Sequence, residues 1–169
     1  MTYVCETIFD KNKVYLKKIY QKLNMLELDK KLWERDKILK IFSKGDWTSS
    51  DTDIILYCTL NLVKELIETC IENNERCVLL FDGTKGELPT LYYITKIVSY
   101  LVGINQLISA GVNYSVVFAS KEKIGFFLPN ILKVYSPARP LLIANTKEEL
   151  KQIIKENKNK VETACVSCN

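Results

Sequence analysis

The stretch Cys77-Val78-Leu79-Leu80-Phe81-Asp82-Gly83-Thr84-Lys85-Gly86 sets a carboxylate, a hydroxyl and an amine directly after an apolar run. Such a run reads as a buried strand. In open α/β proteins, ligand and regulatory sites lie at the carboxyl end of a strand of this kind. Asp82 can serve as a base, a metal ligand or the cap of a turn. Thr84 and Thr90 offer hydroxyls for phosphorylation, which would add about two negative charges near a helix N-terminus. The amides of the helix that begins near Pro89 can attract an anion, with Lys85 close in sequence. Gly83 and Gly86 are too closely spaced for a phosphate loop, and no Ser or Thr follows Lys85. The same glycines suit a plain strand-to-helix turn with no ligand. Only Glu87 lies close enough to add a second carboxylate, so no metal or cofactor is expected.

A second candidate is Arg139, held between Pro137 and Pro140 in Ser136-Pro137-Ala138-Arg139-Pro140. Its guanidinium can pair with a carboxylate or a phosphate. The prolines equally suit a rigid connection at a sheet edge. Tyr92, Tyr93, Tyr100, Phe126, Phe127 and Tyr135 can line a pocket or pack into the core with their polar tips outward.

The chain contains no histidine. Ser-His-Asp and Cys-His nucleophiles are therefore excluded within it, as is histidine-ligated zinc. Four of the cysteines (Cys5, Cys58, Cys70 and Cys77) sit among apolar residues and read as small core side chains. Cys165 and Cys168 form a lone Cys-x-x-Cys in an expected mobile tail, 161–169. Residues 1–44 carry eleven Lys or Arg against six Asp or Glu, while the whole chain has a net charge of +4. The lysines alternate with carboxylates instead of clustering with aromatics, so no strong nucleic-acid signal results. No apolar run approaches the roughly 18 residues of a membrane span. The start of the chain lacks a signal-peptide pattern. A cytoplasmic domain over residues 1–160 is the expectation.

The elements that must position these groups follow from periodicity. Residues 2–9 and 14–20 predict a hairpin, with a helix over 14–23 as the competing reading. Leu28, Leu32, Ile38, Leu39 and Phe42 predict a helix over 27–42. The cap-rich Ser49-Ser50-Asp51-Thr52-Asp53 opens a helix to Asn73. Strand 77–81 leads to one long helix, 89–109, stopped by Gly111 in a left-handed conformation. Strand 113–119, a helical segment 121–135 bent or split at Pro129, strand 141–144 and a helix from Thr146 to about Lys158 complete the chain. Thr146 and Glu149 have the spacing of a capping box. Strands alternating with helices imply a largely parallel sheet.

This order resembles the SpoIIAA-like fold of STAS domains and the lipid-binding CRAL-TRIO domains. The match is carried by Leu80-Phe81-Asp82 and by the closing unit from Arg139 to Leu150. It implies a layered α/β sandwich, a mixed and mostly parallel sheet of about four or five strands with packed helices. The STAS resemblance implies a non-catalytic, regulatory protein-interaction module. Its surface would comprise Asp82, Gly83, Thr84, Lys85, Gly86 and Thr90, with Thr84 and Thr90 as phosphorylation candidates. A protein partner, a homo-oligomer, an anionic ligand and a lipid are the partners this leaves open. The CRAL-TRIO resemblance implies instead a small-molecule or lipid cavity walled by Leu88, Tyr92, Phe126, Phe127 and Leu128. A third reading is an enzyme that uses Asp82 and Lys85 on a phosphorylated substrate.

Overall fold

The computed structural model describes residues 26–43, 47–48, 50 and 52–166. The expected N-terminal hairpin lies outside these residues. In chain order the elements are β1 (Leu26–Leu28), α1 (Lys30–Asp36), β2 (Ile38–Ser43), α2 (Thr52–Glu72), β3 (Cys77–Asp82), α3 (Leu91–Gly103), α4 (Asn105–Gly111), β4 (Val112–Phe118), α5 (Lys121–Leu132), β5 (Leu141–Ala144) and α6 (Lys147–Val166). The five strands form one mixed α/β sheet in the order β1-β2-β3-β4-β5. β1 runs antiparallel to β2, and every other neighbouring pair is parallel.

The helix expected over 27–42 is instead a strand, a short helix and a second strand. Asp29 caps α1 by accepting hydrogen bonds from the Lys31 and Leu32 amides. The helix ends after seven residues, because Lys37 adopts φ 53° and its amide bonds back to Leu32 and Trp33. A left-handed lysine gives no local warning of the kind Gly or Asn gives. Beyond it, Ile38 and Leu39 are both buried yet belong to opposite faces of the sheet. Adjacent apolar residues diverge this way only in a strand covered on both sides.

The two faces are covered differently. On one, Ile38, Val78, Leu80, Tyr114, Val116 and Phe118 pack against Leu32 of α1 and Leu150, Ile153 and Ile154 of α6. A surface ion pair between Lys158 and Asp36, at 3.2 Å, links those two helices. The expected capping box opens α6: the Glu149 amide donates to Thr146 Oγ1, and Glu149 Oε2 accepts from the Thr146 amide. On the other face, Leu39, Ile41, Cys77 and Leu79 pack beneath Leu62, Val63, Leu66 and Ile67 of α2 and Ile108 of α4. Cys70 and Cys77 are buried in this layer, as expected of core thiols. The neighbouring Cys70 and burial push the Cys77 thiol far up, leaving it an uncharged hydrophobe.

Two further expectations need correction. The single helix 89–109 is two helices: Thr90 is the extended N-cap of α3, and Ile104 (φ −107°, ψ 17°) separates α3 from α4. Gly103, the weakest helix former in the run, immediately precedes the break. Gly111 is not left-handed; among the described glycines only Gly86 has positive φ. Gly111 is required by proximity, because a Cβ there would meet Ile67 Cγ2 at 2.6 Å and Ile71 Cγ1 at 2.9 Å. Gly111→Ala is therefore expected to destabilise the fold by about 1–3 kcal/mol through overpacking. Urea denaturation with an unchanged slope would report this, and Gly103→Ala, with nothing within 4 Å, should show no such loss.

Candidate functional site

β3 delivers Asp82 to the carboxyl end of the sheet, where its side chain is 7% exposed. Its Oδ1 accepts from both the amide (3.0 Å) and the hydroxyl of Thr84, closing a tight turn. Its Oδ2 lies 3.3 Å from Lys40 Nζ on β2. Burial alone would raise its pKa, but the Thr84 hydrogen bonds and Lys40 outweigh burial and hold the carboxyl below its usual range. Asp82 is thus an ionised anchor of the turn. A general base suited to neutral pH needs its pKa shifted the other way.

Beyond Asp82 the chain is pinned by backbone contacts. The Gly83 amide donates to Phe118 O at 2.8 Å, tying the turn to the end of β4. Gly86 adopts φ 88°, a conformation open to glycine and costly for other residues. Lys123 Nζ donates to Gly83 O at 2.8 Å and to Gly86 O at 3.0 Å, and Trp47 Nε1 donates to Glu87 O at 3.1 Å. Thr84, Lys85, Gly86 and Glu87 remain exposed. Thr90 is exposed too, and its side chain makes no capping hydrogen bond to α3.

Sequence reasoning missed Lys123. It lies in the first turn of α5, where the helix dipole disfavours a cation. That misplacement was a readable signal of a distant acceptor, here the two glycine carbonyls. Arg139 belongs elsewhere: it is half-buried before β5, and its Nε donates to Asn113 O at 3.1 Å. The structure therefore brings Asp82, Gly83, Thr84 and Gly86 into one pinned turn, and leaves Lys85, Thr90 and Arg139 outside that hydrogen-bonded group. Among the described residues no cluster of side chains could hold a metal ion.

The turn forms the rim of a cavity of about 180 Å³. Its floor is Leu79 and Phe81 of β3, Val117 of β4 and Leu141 of β5; its walls include Leu56, Leu60 and Val63 of α2, Ile97 and Leu101 of α3, and Ile124, Phe127 and Leu128 of α5. The space follows from helix packing. α5 docks on α3 through Phe127, Ile131, Ile94 and Val98, together with Tyr135. In β4, Tyr114, Val116 and Phe118 are buried on the opposite face, whereas Ser115 and Val117 are half-buried beneath the cavity. Of the walls expected from the CRAL-TRIO resemblance, Leu88, Phe127 and Leu128 line this space. Tyr92 and Phe126 do not, being 57% and 60% exposed on the outer sides of α3 and α5. Tyr93 packs on Trp47, with ring centroids 5.4 Å apart, and Tyr100 donates to Asn61 Oδ1.

Compared with known proteins, the chain matches no family model, no curated protein and no solved structure. No helix among the described residues is long and apolar enough to cross a membrane.

Because the folded pKa of Asp82 lies below the unfolded value, its contribution to stability is fully present above about pH 4 and is lost as pH falls through the folded value. Urea midpoints measured from neutral to acid pH should fall less steeply for Asp82→Asn than for the parent. Lys123→Met should speed hydrogen exchange selectively at the amides of Gly83 and Thr84, which are hydrogen-bonded in the turn, leaving those of β3 protected.

Proposed function

We propose that this chain is a binding protein for a small apolar or amphipathic molecule, taken into the cavity between the sheet and helices α2, α3 and α5. The observation that carries this reading is the cavity itself: about 180 Å³ of space with an almost wholly apolar wall between the sheet and three helices. Its volume is on the scale of engineered apolar cavities of roughly 150 Å³ that stay dry and bind benzene. A two-chain lipid would not fit that space. On this reading the pinned turn from Asp82 to Pro89 is a fixed rim, with Trp47 and Lys123 holding it on either side. The resemblance in element order to CRAL-TRIO domains, within a SpoIIAA-like sandwich, supports the same choice.

A STAS-like regulatory surface at 82–90 is the second reading. It is favoured by one observation, the exposure of Thr90 at the N-cap of α3 with its hydroxyl unused by the cap. Thr84 suits a phosphorylation switch less well, since its hydroxyl is already given to Asp82. The enzyme reading has the least support, since Asp82 is held as an anchored anion.

Toluene tests the ligand-binding reading. Saturating toluene should raise the melting temperature by about a few degrees, as a ligand that binds only the folded state must. Val117→Trp, which fills the floor, should remove the shift while leaving a cooperative transition. An unchanged melting temperature in the parent protein would remove the ligand-binding reading.

A further inference from the structure

Away from the rim, Ser115 and Arg139 place two polar side chains in the otherwise apolar wall of the cavity. Tyr135, Pro137, Arg139 and Leu141 alternate into the wall along the segment that enters β5. Leu141 pairs in register with Ser115 of β4, which lines the cavity as well. The Ser115 hydroxyl makes no hydrogen bond among the described residues, and no carboxylate among them pairs with Arg139.

The position of the Arg139 guanidinium has a specific cause. Between Cys77↔Val112 and Val78↔Tyr114 the register of β3 and β4 shifts by one residue, so Asn113 has no partner on β3. A bulged residue is left out of the ladder, and its carbonyl is free to accept from elsewhere. Asn113 O accepts from Arg139 Nε. This bond fixes one edge of the planar group and leaves the two Nη groups for a further acceptor. The other cation at the cavity, Lys123, is already held by two carbonyls at the rim. A fixed guanidinium with its terminal donors unmatched, set in an apolar wall beside a free hydroxyl, has the geometry for bidentate recognition of a carboxylate.

We infer that the cavity is built for a small amphipathic carboxylic acid, with its apolar part over Val117 and Leu79 and its carboxylate on Arg139 and Ser115. The inference rests on the ligand-binding reading above and names the ligand class for the same site. A monocarboxylate suits this end better than a phosphate ester, because among the described residues Arg139 is the one cation lining this end, Lys123 being held at the rim, and a dianion would leave charge unmatched.

The probes are hexanoate, 1-hexanol and hexyl phosphate, titrated at pH 7 into the full chain and followed by protein NMR. Hexanoate should bind about tenfold or more tighter than hexanol, the difference a charge-assisted hydrogen-bond pair supplies. Arg139→Gln should abolish that preference while leaving hexanol binding in place. Ser115→Ala, which spares the Asn113 contact, should reduce the preference if Arg139→Gln proves too unstable to study. Equal affinities for hexanoate and hexanol would overturn the carboxylate assignment and leave the cavity reading standing. Tighter binding of hexyl phosphate than hexanoate would likewise overturn it. Failure of all three probes would remove the ligand-binding reading itself.

Discussion

At Gly111 the backbone of α4 lies against α2 so closely that only a hydrogen fits where a side chain would start. That contact holds α2 and α4 side by side over β2 and β3, where Leu39, Leu79 and Ile67 are almost fully buried. The same face of β4 and β5 receives less direct cover. α5 must roof it, and α5 is drawn to α3 by Phe127 and Ile131. The opposite face has no such division, since α1 and α6 share one apolar layer across the strands. The cavity is thus a consequence of how helical cover is shared out on one face of a twisted sheet.

The charged groups are arranged around that space in complementary ways. At the rim, Asp82 and Lys123 are both consumed by structure. Asp82 closes the Thr84 turn and pairs with Lys40, while Lys123 gathers the carbonyls of Gly83 and Gly86. At the far end, Arg139 is fixed through one nitrogen and has donors to spare. On the proposed reading, the rim supplies rigidity and the far end supplies selectivity. A bulge at Asn113 links the sheet's register to that selectivity, so a one-residue irregularity in β4 has a chemical consequence.

Much of the fold was legible in the sequence because its signals are local. The apolar run 77–81, the capping box at Thr146 and Glu149, and the helix spacing from Leu56 to Ile71 each specify an element without help from distant residues. Residues 27–42 failed because their spacing fits a helix well, and the break is a left-handed lysine, Lys37, with no glycine or asparagine to mark it. Gly111 was noticed for the wrong property: its need is space against Ile67, which depends on a helix over forty residues earlier in the chain. The site was legible in part. Asp82 and Arg139 stood out by position, whereas Lys123 and Ser115 acquire meaning only through partners far away in sequence. The cavity had the weakest signal, since an empty volume depends on where α5 comes to rest and no single residue encodes it. Of the five walls implied by the CRAL-TRIO resemblance, Leu88, Phe127 and Leu128 line the space and Tyr92 and Phe126 do not.

The most direct test of the account is an NMR measurement of intermolecular contacts between toluene and assigned methyl groups. Toluene held in the cavity should give nuclear Overhauser effects to Val117, Leu128 and Leu141, which line it, and none to Ile54, Val102 or Val134 on the exterior. Contacts confined to those exterior methyls, or none at saturation, would contradict it.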